Sequence, residues 1–172
     1  MIYGCQKLTC LPPFPNVEEF ELCESTLKPL KEALDTSAAP LSKLKLLKIQ
    51  GRNLEFDSLP SKFQQNLTSL EYLKLVNVDK LEFWFKDCFP SLKKIMISLG
   101  PSTTIPDKIC DILSLQHTEI IGCHYLNSLP RGMSRLNNLV ELNIWDCPLL
   151  GRYNCKCFKG EDLHKFIMSR TK

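Results

Sequence analysis

The side chains with the widest reach in acid–base, nucleophilic and metal chemistry are three histidines, His117, His124 and His164, and nine cysteines. Nucleophilic catalysis needs a nucleophile, a base within hydrogen-bond reach and a third group that orients the base. No such set can be assembled around these histidines, so surface or partner-contacting roles are expected for them and no enzymatic activity for the chain. Cys155-Lys156-Cys157 with His164 offers two thiolates and an imidazole to a zinc ion. One intervening residue is tighter than the common ligand spacing, however, and no fourth ligand follows. The expectation is no metal and no cofactor. The run Leu81-Glu82-Phe83-Trp84-Phe85 could form an aromatic recognition box, but its place just after a strand favours packing on the far side of the fold, with Trp84 at the surface.

Composition sets the frame for these residues. The chain has 172 residues, 44% of them hydrophobic, enough for one domain with a sizeable core. No stretch approaches the roughly 18 to 20 uninterrupted apolar residues of a membrane span, and the start lacks a basic segment followed by an apolar run. The net charge of +3 is spread along the chain and does not point to nucleic acid or an anionic membrane. An odd cysteine count without a signal peptide reads as reduced thiols, many of them buried as small hydrophobes, in a cytoplasmic protein. Asn66-Leu67-Thr68 then matches the glycosylation pattern by chance.

The elements that must position these groups come from an internal repeat. The pattern L-x-x-L-x-L recurs at Val17-Phe20-Leu22, Leu44-Leu47-Ile49, Leu70-Leu73-Leu75, Leu92-Ile95-Ile97, Leu115-Thr118-Ile120 and Leu139-Leu142-Ile144. Its first positions lie 22 to 27 residues apart, within the roughly 20 to 29 of leucine-rich repeats. The ninth position, usually Asn or Cys, holds Ser25, Arg52, Val78, Gly100, Cys123 and Cys147, so the repeats are irregular. Ile2 and Cys5 fit positions six and nine of an earlier unit. The expected organisation is a leucine-rich-repeat domain over 1–151, with a partial first repeat 1–16 and six repeats from about 17, 44, 70, 92, 115 and 139, followed by a cap or tail over 152–172.

The last two apolar residues of each unit are two apart and face one side of a short strand, while the residues between them face the other. A single unit cannot bury that side alone, so neighbours stack and their strands pair in parallel. The expected fold is therefore α/β: a leucine-rich-repeat solenoid, a curved horseshoe with a parallel sheet on its concave face and mostly irregular or short helical convex segments. Leu59-Pro60-Ser61-Lys62-Phe63, Ile105-Pro106-Asp107-Lys108-Ile109 and Leu129-Pro130-Arg131-Gly132-Met133 supply the convex turns. Leu27, Leu30 and Leu34 have helical spacing, which predicts at least one helix turn there. Leu163, Phe166 and Ile167, behind Glu161 and Asp162, predict a capping helix over the final repeat.

Several segments together resemble a known family. They are Ile2-Tyr3-Gly4-Cys5 leading to Leu8-Thr9-Cys10-Leu11-Pro12-Pro13-Phe14-Pro15, then Leu129-Pro130 through Leu136-Asn137-Asn138-Leu139, and Leu142-Asn143-Ile144-Trp145-Asp146-Cys147-Pro148-Leu149-Leu150. With Lys159-Gly160-Glu161-Asp162-Leu163 at the end, they make essentially the whole chain resemble the repeat region of plant intracellular nucleotide-binding leucine-rich-repeat disease-resistance receptors. That tail is similar to the Gly-Glu-Asp-Trp ending of many such receptors, with Leu163 in place of Trp. The resemblance implies recognition of a pathogen effector or a guarded host protein, and restraint of an upstream nucleotide-binding domain. The chain has no G-x-x-x-x-G-K-[ST] loop, so the family's ADP/ATP site is not in it.

Function is then expected on the concave face. The register puts there Glu18, Glu19, Glu21 and Glu24, then Lys45 and Lys48, then Tyr72 and Lys74, then Lys93, Lys94 and Met96, and finally His117, Glu119, Glu141, Asn143 and Trp145. His124 falls in the turn after a strand. An acidic edge precedes a basic middle, and charged steering around aromatic anchors suits a protein partner. Glu19, Glu21, Lys48, Tyr72, Lys74, Lys94, Met96, His117 and Trp145 are the residues expected to contact it. The competing reading, a substrate adaptor of a ubiquitin ligase, lacks an F-box-like helical region and fits the apolar-Pro convex turns poorly.

Overall fold

The alternation of apolar and polar side chains in each unit is that of a strand buried on one face. A computed structural model describes residues 1–3, 16–23, 27, 31, 41–52, 54, 64–86, 89–150 and 166–169. Its strands are β1 (Ile2–Tyr3), β2 (Glu19–Cys23), β3 (Leu46–Gln50), β4 (Tyr72–Val76), β5 (Lys94–Ser98), β6 (His117–Ile121), β7 (Glu141–Trp145) and β8 (Phe166–Ser169). They form one eight-stranded sheet, ordered as in the chain, and every pairing is parallel. With few helices, this is an arrangement compatible with an α/β repeat solenoid. Register is constant: Phe20, Leu47, Leu73, Ile95, Thr118 and Leu142 lie in one row, and Leu22, Ile49, Leu75, Ile97, Ile120 and Ile144 in another. Ile2 pairs with Leu22, the sixth position assigned to it from the sequence.

Both rows are buried, and so is the row of first positions from Leu44 to Leu139. A further apolar column lies three residues before each first position, at Leu41, Leu67, Phe89, Ile112 and Leu136. Its carbonyls accept the N–H of Leu44, Leu70, Leu92, Leu115 and Leu139, closing a tight turn into each strand. Burying a leucine or isoleucine contributes roughly 1.5 to 3 kcal/mol, and stacking lets each column bury its side chains against those of the next unit. Thr118 is the polar exception in these rows, 1% exposed.

Backbone hydrogen bonds repeat with the same period. The carbonyls of Glu18, Lys45, Glu71, Lys93 and Gln116 each accept two N–H groups from the next unit, at 2.7 to 3.1 Å. At the other end of the strands, Asn77, Leu99, Gly122 and Asp146 turn the chain with φ between 51° and 63°. Asn, Gly and Asp tolerate that left-handed conformation, whereas at Leu99 it costs roughly 1 to 2 kcal/mol.

The return segments after β5 and β6 are short, as expected. Ile105-Pro106 and Leu129-Pro130 lead into single 3-10 turns, Asp107–Asp111 and Arg131–Arg135, with Ile105, Ile109, Leu129 and Met133 in the core. The turn expected at Leu59–Phe63 lies outside the described residues. Of the helix turn expected near Leu27, the described part is a hydrogen bond from the Lys31 N–H to the Leu27 carbonyl.

Two expectations are corrected. Leu81–Trp84 is a short helix, and Trp84 is wholly buried rather than at the surface. It joins Leu81 and Phe85 in the core, its ring edge-on to Phe83 at 5.7 Å. The indole is the largest apolar group available to fill that return segment. The second correction is at the tail, where residues 166–169 form strand β8, parallel to β7, rather than a helix. Spacing of i and i+3 belongs to a helix and to L-x-x-L-x-L alike, and Leu163-x-x-Phe166-x-Met168 matches the repeat 24 residues after Leu139. The unpaired N–H and C=O groups along β7 decide between the two, because a strand satisfies them and a helix does not. Leu163, Glu161 and Asp162 lie outside the described residues.

Candidate binding surface

Opposite the core, the sheet presents an open face built from positions three and five of each unit. One row runs Glu19, Leu46, Tyr72, Lys94, His117, Glu141 and the other Glu21, Lys48, Lys74, Met96, Glu119, Asn143, each residue registered directly beside the next. Lys48, Lys74 and Lys94 alternate with Leu46, Tyr72 and Met96 at its centre, and carboxylates flank this patch on both sides.

The charges on this face are largely paired. Lys94 Nζ lies 2.6 Å from Glu119 Oε1 and 5.2 Å from the centre of the Tyr72 ring, a cation–π distance. The Glu119 hydrogen bond raises the Lys94 pKa despite partial burial. Burial pushes the Tyr72 phenol up, partly offset by Lys94. Glu141 accepts hydrogen bonds from Asn143 Nδ2 at 2.8 Å and has His117 Nδ1 at 3.2 Å, contacts that lower its pKa. Lys48 and Glu21 form an ion pair at 3.6 Å. Lys74 has no carboxylate in ion-pair distance among the described residues, and it stands directly beside Lys48. Like charges opposed on neighbouring strands destabilise the pair.

The structure brings Glu19, Glu21, Lys48, Tyr72, Lys74, Lys94, Met96 and His117 onto this one face. Trp145 stands at position seven, which shares the face by alternation. That position is buried at Cys23, Val76 and Ser98 and exposed at Trp145, which is 43% accessible. Lys45 and Lys93 lie at the rim instead, paired with Glu18 at 2.9 Å and with Glu71 at 3.0 Å. Glu24 lies outside the described residues. Sequence reasoning overlooked Leu46 because a leucine inside an apolar unit looks like core, although position three could have placed it.

The other chemistry-bearing groups are separate from this face. Cys23, Cys110, Cys123 and Cys147 are buried, as expected, and form no disulfide among the described residues, and the remaining five cysteines lie outside them. Cys123 Sγ reaches the Ile97 carbonyl at 3.9 Å and Cys147 Sγ the Ile120 carbonyl at 3.8 Å, so in these two units the ninth position ties the unit to the one before it. The neighbouring Cys147 thiol, as a hydrogen-bond donor, lowers Cys123 to about 7, while the same interaction and burial push Cys147 up. No group of three or more potential metal ligands occurs among the described residues, and Cys155, Cys157 and His164 lie outside them. No described helix is long and apolar enough to cross a membrane. His124, in the turn after β6, is exposed and pairs with Asp146 at 3.2 Å. No family model matches the chain, and no curated protein matches it.

Proposed function

We propose that this chain is a leucine-rich-repeat solenoid whose open, concave sheet face binds another protein, and that it does not act as an enzyme. It serves as the recognition region of a cytoplasmic plant immune receptor. Its partner is a pathogen effector, a guarded host protein or the receptor's own nucleotide-binding domain. The observation that carries the reading is the opposed pair Lys48 and Lys74, of which only Lys48 has a carboxylate partner, Glu21, among the described residues. A partner carboxylate placed there relieves a repulsion that the free protein has to bear. Tyr72, Leu46 and Met96 supply the apolar contact around it, and the segments of the chain that resemble plant receptors supply the biological setting.

The test is Lys74→Glu, which reverses a central lysine that has no ion pair among the described residues. In a receptor carrying these repeats, binding to the nucleotide-binding domain should weaken roughly tenfold or more, with signalling in the absence of effector. Unchanged binding and signalling by a folded variant would remove the basic patch from the mechanism.

A further inference from the structure

A second surface lies where the strands end, away from the open face. Arg52, Asn77, Leu99, Gly100, Pro101, Gly122, His124 and Tyr125, all in the turns that follow β3 to β6, line a cleft of about 430 Å3. Leu99 forms one wall in the left-handed backbone conformation, at φ 54°, and is 54% exposed, so core packing does not account for a leucine there. Its side chain lies over Gly122, where an added Cβ would come within 2.7 Å of Leu99 Cδ2. Tyr125, 62% exposed, adds an aromatic surface. Arg52 stands at the rim with Nε donating to Asn77 Oδ1 at 2.7 Å, and no described carboxylate pairs with its guanidinium. His124, by contrast, is matched by Asp146. A cation positioned by a neutral amide, with donors to spare beside an apolar wall, is complementary to an anion attached to an apolar group.

We propose that this cleft binds a segment of a partner protein in which an aromatic or branched apolar side chain stands beside an aspartate or glutamate. The carboxylate would meet Arg52, and the apolar side chain would lie against Leu99, Pro101 and Tyr125.

The probe is the blocked peptide acetyl-Gly-Glu-Phe-Gly-amide, titrated into the isotope-labelled full chain and followed by amide NMR. Saturable shifts are expected at Leu99, Gly100, Gly122 and Tyr125. Replacing the peptide's Glu with Gln, or making Arg52→Gln, should weaken binding about tenfold. Leu99→Asn keeps a residue that accepts the left-handed backbone while removing the apolar wall, so it should lose binding without losing thermal stability. Four results would overturn the proposal: no saturable shift, shifts centred on Tyr72 and Lys74 instead, affinity indifferent to Arg52→Gln, or phenylacetate binding as tightly as the peptide. Cleft shifts that depend on protein concentration alone would assign the surface to a second copy of the chain and overturn it too.

Discussion

Thr118 offers a sharp test of the stacked core. It occupies the row that holds Phe20, Leu47, Leu73, Ile95 and Leu142, is 1% exposed, and its Oγ1 has no hydrogen-bond partner among the described residues. A buried hydroxyl left unpaired costs roughly 1 to 3 kcal/mol. Thr118→Val keeps the shape and replaces that oxygen with a methyl group facing Ile95 and Leu142 on either side. Stability should therefore rise by about 1 to 2 kcal/mol, with Tm climbing by roughly 2 to 4 °C per kcal/mol for a chain of this size. Thr118→Ser keeps the hydroxyl but loses the methyl, and should fall below the parent by about 1 kcal/mol. Urea unfolding followed by far-UV circular dichroism measures both variants, with a constant denaturant slope showing that the same surface is exposed. Neither substitution touches the open face, since His117 and Glu119 point the other way. A Val variant no more stable than the parent would mean that the hydroxyl is satisfied in solution, and the reasoning from an orphaned oxygen would fail.

Other perturbations address separate features. Leu99→Asn should raise stability by about 1 kcal/mol in the same unfolding assay, because asparagine accepts the left-handed turn that strains leucine. Trp84→Ala should cost about 3 to 5 kcal/mol, read as a marked fall in Tm, since a wholly buried indole leaves a cavity. Glu141 has its pKa lowered in the folded state, so its contribution to stability is present above the unfolded carboxyl pKa and fades as pH falls through the folded value. Asn143→Ala removes the largest cause, and a carbon-detected NMR titration should show the Glu141 midpoint moving upward. A midpoint that stays put would assign the shift to another group.

Much of the architecture was legible in the sequence because the repeat period is short and each strand is buried on one face. Leu44-x-x-Leu47-x-Ile49 and its counterparts gave the strands and the buried rows, and the alternation between them placed Lys48, Tyr72, Lys74, Lys94 and His117 together. The helix expected at Phe166 and Ile167 failed because their spacing fits two structures. The choice fell to hydrogen-bonding groups on β7, which lies more than twenty residues away. Trp84 was misplaced for a related reason, since the space it fills exists only once neighbouring units have stacked.

The sequence by itself determined the repeat, its register and the side of the sheet to which each strand residue belongs, because those follow from covalent spacing and a two-residue alternation. The tertiary structure decided which charges are spent on one another. Lys94 with Glu119 and Lys48 with Glu21 are pairings between units, while Lys74 and Arg52 face no described carboxylate, and no linear pattern distinguishes those cases. It also made the cleft at the strand ends, whose lining residues come from four successive turns. They meet only because parallel stacking sets each turn beside the next.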